Sequence, residues 1–130
     1  AGPEIVSEFK RLGRVAATII TDLSLAGNSV DVVALRFLSV VIQLRLGVDV
    51  VLAINKSDLV KHDQLSLLTG DISLENYEGL YADMMQEIET VLNKYIRMPR
   101  ILLISAKSRS GLEELYDALH EVYCVCGDIS

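Results

Sequence analysis

The sequence predicts an α/β fold, a three-layer αβα arrangement around a mainly parallel sheet. Three observations carry this. The runs 15–20, 50–54 and 101–104 are apolar apart from Thr18, with no polar alternation, so each reads as a strand covered on both faces. Helical periodicity fills the intervals between them. Hydrophobic residues make up 51% of the 130, which two-sided burial of a sheet requires.

The elements follow in order. Residues 4–12 form a short amphipathic helix that ends at Gly13. The strand 15–20 leads to Asp22, and 24–28 is loop. From Val30, apolar residues recur at Val33, Phe37, Val41 and Leu44, and Gly47 stops that helix. The strand 48–54 follows, then a connector over 59–73 with Gly70. A long helix spans 74–95, with Leu74, Tyr77, Tyr81, Met84, Ile88, Val91 and Tyr95 at 3–4 spacing. Met84 and Met85 read as core filler. Pro99 ends the connection to strand 101–104. Ser110 caps the last helix, Glu113 completes a capping box, and Leu112, Leu115, Leu119 and Val122 point inward. One helix followed by three strand-helix units gives a parallel sheet.

Composition narrows the function. A chain of 130 residues makes one domain, 1–130, with a real core. A net charge of −6 without a basic run argues against nucleic acid or an anionic membrane as partner. The longest apolar stretch, 30–54, is broken by Asp31, Arg36, Arg45 and Asp49 and is no transmembrane span. No signal peptide is visible. The only cysteines, Cys124 and Cys126, make no disulfide scaffold, so a reducing, cytoplasmic setting is expected.

Two short motifs follow two of the strands. Asn55-Lys56-Ser57-Asp58 comes straight after Ile54, and Ser105-Ala106-Lys107 straight after Ile104. In open α/β sheets, ligands bind outside the carboxyl ends of the strands. Guanine presents an N1–H donor, an N2 amino donor and an O6 acceptor. The Asp58 carboxylate accepts from both donors in a charge-assisted pair. Adenine offers no such pair and would leave the carboxylate unsatisfied, a difference able to reject the wrong base by roughly 10⁴–10⁵. Asn55 ties the two loops together. The Lys56 and Lys107 stems cover the faces of the base, the Ala106 N–H meets O6, and the Ser105 hydroxyl orients Asp58. N-K-x-D occurs by chance about once in several thousand positions. S-A-K is weak alone, and its order and strand context give it weight. The plain alternative is two ordinary strand-to-loop turns with solvated lysines.

Other polar residues carry less. Asp22, at a strand end, reads as a loop-stabilising side chain or as part of a site. His120, Cys124 and Cys126 give poor zinc spacing with no fourth ligand, and packing or a dimer contact suits them better. His62 and Asp63 read as solvated surface. Ser105 with Lys107 lacks the base and oxyanion donors of a nucleophile pair.

Strand, N-K-x-D, long helix, strand, S-A-K and helix together resemble the second half of a P-loop GTPase. The tail, GLEELY at 111–116 and HEVYCVCGDIS at 120–130, resembles the end of the GPN-loop GTPases, as does Arg45-Leu46-Gly47 ahead of its strand. Ala1-Gly2-Pro3-Glu4 resembles the end of a D-x-x-G switch motif, with Pro3 where the family has Gln; an expression scar is the bland reading. No G-x-x-x-x-G-K-[ST] and no Gly-Pro-Asn loop occurs in these residues. The resemblance therefore implies the C-terminal half of a GTPase domain. It implies GTP and GDP as ligands, Mg²⁺ only with the other half, and a homo- or heterodimer. The parent would hydrolyse GTP to GDP and phosphate. No catalytic residue is expected in this chain, so it should be inactive alone and bind nucleotide with a Kd on the order of 1 mM or weaker. The alternative is a non-catalytic interaction module or split-protein partner that keeps the base-recognition loops.

Overall fold

The computed structural model describes residues 2–61, 65, 68, 79–95 and 100–124. Helix α1 (Gly2–Leu12) carries Glu4 in its first turn and Lys10 and Arg11 in its last, matching the helix dipole. Its chain turns off where the Gly13 N–H bonds the Phe9 carbonyl at 3.1 Å. Strand β1 (Ala16–Asp22) runs into a 3₁₀ turn at Leu23–Leu25. Helix α2 (Ser29–Leu46) opens on Asn28, whose side chain accepts from the Asp31 N–H at 2.9 Å. It closes on Gly47 in the left-handed region, φ 61°, with a 2.8 Å bond to the Gln43 carbonyl. The Lys10 ammonium binds the carbonyls of Leu46 and Gly47, fastening α1 to the end of α2.

Strand β2 (Asp49–Asn55) is the centre of the sheet. It pairs in parallel with β1 on one side and with β3 (Ile101–Leu103) on the other. Val50 to Ile54 are buried at both alternations, so helices cover both faces of the strand. Helices α2 and α4 (Leu112–Cys124) lie on β2, and α3 (Leu80–Tyr95) packs on α2. This is the αβα arrangement the sequence predicts. The core joins Leu23, Ala26, Val32, Ile54 and Leu68, with Leu35, Val60, Ile101 and Leu103 against it. Fully burying Leu52 or Ile54 contributes about 1.5–3 kcal/mol each.

Several sequence expectations change. In α2, Val33 is buried as its spacing predicts, but Phe37, Val41 and Leu44 are exposed, and Val32, Ser39 and Val40 face inward instead. The helix is apolar on every side, so periodicity alone selects no face. Buried Ser39 is satisfied by donating to the Arg36 carbonyl at 2.6 Å. Met84 is exposed and is not core filler, Met85 is half-buried, and Val91 on the predicted stripe is exposed. Leu74, Tyr77, Pro99, His62 and Asp63 lie outside the described residues, as do the side chains of Tyr81, Tyr95 and Cys124 and the whole of Cys126. Leu112 is exposed, whereas Leu115, Leu119 and Val122 are half-buried. Gly111 rather than Ser110 stands before α4: its carbonyl takes the first helical bond, from the Leu115 N–H, and the Ser110 hydroxyl pairs with Ser108.

Candidate functional site

Parallel register brings three strand ends to one edge. Asp22 lies opposite Asn55, and Ile54 opposite Leu103. The β2–β3 pairing continues one step, from the Ile104 N–H to the Ile54 carbonyl at 2.9 Å. Beyond β2 the chain reverses sharply. Lys56 takes φ 69°, a left-handed conformation costly for a residue with a Cβ, and a 3₁₀ turn follows at Ser57–Leu59. Leu59 N–H closes on the Lys56 carbonyl at 2.9 Å. The Ser57 N–H reaches across to the Ile104 carbonyl at 3.0 Å, joining this loop to the one after β3.

Of the six residues singled out from the sequence, Asn55 ends β2 and the other five sit on these two adjacent loops. Ser105 is fully buried, and its hydroxyl donates to Asp58 Oδ1 at 2.6 Å while accepting from the Ser108 N–H at 3.2 Å. That hydroxyl bond is the main reason the Asp58 carboxyl lies below the usual range, with the Lys107 and Lys56 charges helping. Asp58 is thus an ionised, aimed and solvent-facing acceptor. Asn55 Oδ1 accepts from the Ala106 N–H at 3.1 Å, a direct tie between the loops. Two roles read from the sequence therefore meet on one amide, because the N–H expected to face a base oxygen already binds Asn55. Lys107 is exposed at the rim. The second loop is closed by the Ser105 N–H to the Ser110 carbonyl at 3.0 Å, and by Gly111 at φ 74°. A Cβ at Gly111 would run into the Leu103 carbonyl.

One partner was not legible in the sequence. The Lys56 ammonium forms an ion pair with Asp22 Oδ2, and Asp22 Oδ1 accepts from the Ser24 N–H at 2.9 Å. The ammonium, then the Ser24 N–H, hold the Asp22 carboxyl down to about 2, and Asp22 in turn raises Lys56. Only the register of β1 on β2 makes this pair, and register is not written in either motif. Asp22 is therefore both a loop-stabilising residue and a neighbour of the site. Among the described residues, no three His, Cys, Asp or Glu side chains converge on a point that would hold a metal. Asp22 and Asp58 are each engaged by another side chain, so the residues present do not fit a divalent cation.

Comparison with known proteins agrees with this arrangement. A family model described as "Conserved hypothetical ATP binding protein" matches residues 1–125. The GPN-loop GTPase PAB0955 of Pyrococcus abyssi is 31% identical over 122 aligned residues, covering 85% of this chain and 48% of that protein. The chain belongs to the GPN-loop GTPase family. The crystal structure of PAB0955, a GTPase in apo form, superposes with a TM-score of 0.78 at 26% identity, over 93% of this chain and 52% of that one. This GPN-loop family member thus spans about half the length of the relative it matches. Its three parallel strands and flanking helices are part of the same fold.

Proposed function

We propose that this chain is the guanine-recognising, C-terminal half of a GTPase domain, and that Asn55, Lys56, Asp58, Ser105, Ala106 and Lys107 form its base pocket. The observation that carries the proposal is the Ser105-held Asp58 carboxylate at the carboxyl edge of the sheet. An ionised acceptor there matches the paired N1–H and N2 donors of guanine, whereas adenine offers a single amino donor beside the acceptor N1 and so no matching pair. The relative's name, GTPase, supports the same base, although the family model's description speaks of ATP. The parent protein would hydrolyse GTP to GDP and phosphate, with Mg²⁺ and phosphate contacts supplied by residues other than these. This chain alone would be inactive. Family likeness suggests a homo- or heterodimer in the cytoplasm. Neither a membrane nor nucleic acid is a proposed partner. No described helix is long and apolar enough to cross a membrane.

The test is base selectivity in the full-length protein. Titration calorimetry with GDP and ADP should give a preference for GDP of at least about a thousandfold, since a site built for a donor pair rejects the analogue that lacks it. Equal affinity for the two nucleotides would refute the proposal.

A further inference from the structure

Building on the guanine-pocket reading, we infer that Asp22 is a positioning residue that keeps Lys56 off Asp58, so that the Asp58 carboxylate stays open to the base and the lysine stem stands as a wall of the pocket. Lys56 and Asp58 are two residues apart on one tight turn. A lysine ammonium with no other partner would pair with that carboxylate, the acceptor the base needs. The structure shows two separate anchors instead. Ser105, on the β3 side, holds Asp58, and Asp22, at the end of β1, holds Lys56. The Asp22 carboxylate is itself fixed, because its other oxygen accepts from the Ser24 N–H at 2.9 Å. In-register pairing sets Asp22 opposite Asn55, the residue before Lys56. The left-handed backbone at Lys56 fixes the direction in which its side chain departs. A long, flexible side chain is thereby given one orientation before any ligand arrives. The lowered Asp22 and raised Lys56 pKa values agree with a pair formed in the absence of ligand.

The test is a double-mutant cycle for GDP affinity in the full-length protein, using Asp22→Asn and Lys56→Ala. Asparagine keeps an oxygen for the Ser24 N–H, so the turn stays capped and the thermal midpoint should fall only slightly, by the small worth of one exposed ion pair. Asp22→Asn should weaken GDP binding about threefold to fivefold, the scale of an exposed ion pair. Lys56→Ala should weaken it by about tenfold or more through loss of the stem. In the Lys56→Ala background, Asp22→Asn should do nothing further, because Asp22 acts only through Lys56. A second readout is the Lys56 ammonium proton signal in nitrogen-15 spectra, visible in the parent and lost in Asp22→Asn. An equal loss in both backgrounds, or no loss in the parent background, overturns the inference. Asp58→Asn serves as the control. If that variant binds GDP normally, the guanine reading fails and the inference with it. If it binds weakly while the cycle is additive, only the role of Asp22 fails.

Discussion

A carboxylate that reads two base N–H groups must be ionised, aimed and unobstructed, and Asp58 owes the first two to a single hydroxyl. Ser105 donates to it at 2.6 Å and draws its pKa below the usual range. A lowered folded-state pKa means the ionised form is favoured above the ordinary carboxylate pKa and is lost only as pH falls through the lowered value. Guanine affinity should therefore be level from pH 8 to about pH 5 and decline only in stronger acid. Ser105→Ala removes the donor, so the decline should begin at higher pH and affinity at neutrality should drop. Calorimetry across pH on both proteins checks this, and superimposable profiles would speak against the Ser105–Asp58 link. The Asp22–Lys56 pair is more robust still. With Asp22 held to about 2, its contribution to folding is whole above about pH 4 and fades between about 4 and 2. On the alkaline side the raised Lys56 value keeps the pair intact through the ordinary lysine range.

At the level of elements, the loop after β3 is shaped by Gly111. Its φ of 74° and the proximity of the Leu103 carbonyl leave no room for a Cβ. Gly111→Ala should destabilise the protein by about 1–3 kcal/mol through backbone strain, and should weaken guanine binding because Ser105 and Ala106 move with the loop. Urea unfolding and GDP titration would register both effects, and an unperturbed variant would show that the loop does not need this turn. The strands were legible in the sequence because burial on both faces writes a continuous apolar run, as at Val50 to Ile54. The two joined loops after β2 and β3 were legible because short polar motifs follow those runs. Helix faces were less so. The sequence points to Val33, Phe37, Val41 and Leu44, yet of these only Val33 is buried, and Val32 and Val40 join it in the core. A helix apolar all round offers more than one stripe, and tertiary contact with β2 chooses between them. The Asp22–Lys56 pair escaped for a similar reason, since it depends on how one strand is registered on another.

For the whole molecule, the sheet edge at β1 and the pocket both bear on how the chain works. Among the described residues β1 is an outer strand, and Ile20 on it is 63% exposed. Along the first five residues of the strand, Ala17 and Ile19 alternate with Ala16, Thr18 and Ile20, so no charge deters pairing there, and Asp22 stands only at the strand's far end. Helix α1 packs on α2. The 130-residue chain alone should therefore self-associate, or, on the proposed reading, pair with the complementary part of a GTPase domain when that is supplied. Light scattering at several concentrations should show mass rising with concentration, and Thr18→Lys should suppress it; a monodisperse monomer would contradict the expectation. On the proposed reading the choice of nucleotide rests on one carboxylate, and that claim is tested most directly by exchanging the carboxylate for an amide. In Asp58→Asn of the full-length protein, GDP affinity should fall by at least about thirtyfold as the charge-assisted pair is lost. Affinity for the xanthine nucleotide should rise, because its C2 oxygen accepts from the new amide. Unchanged GDP affinity, with no gain for xanthine, would remove Asp58 from the site and contradict the account.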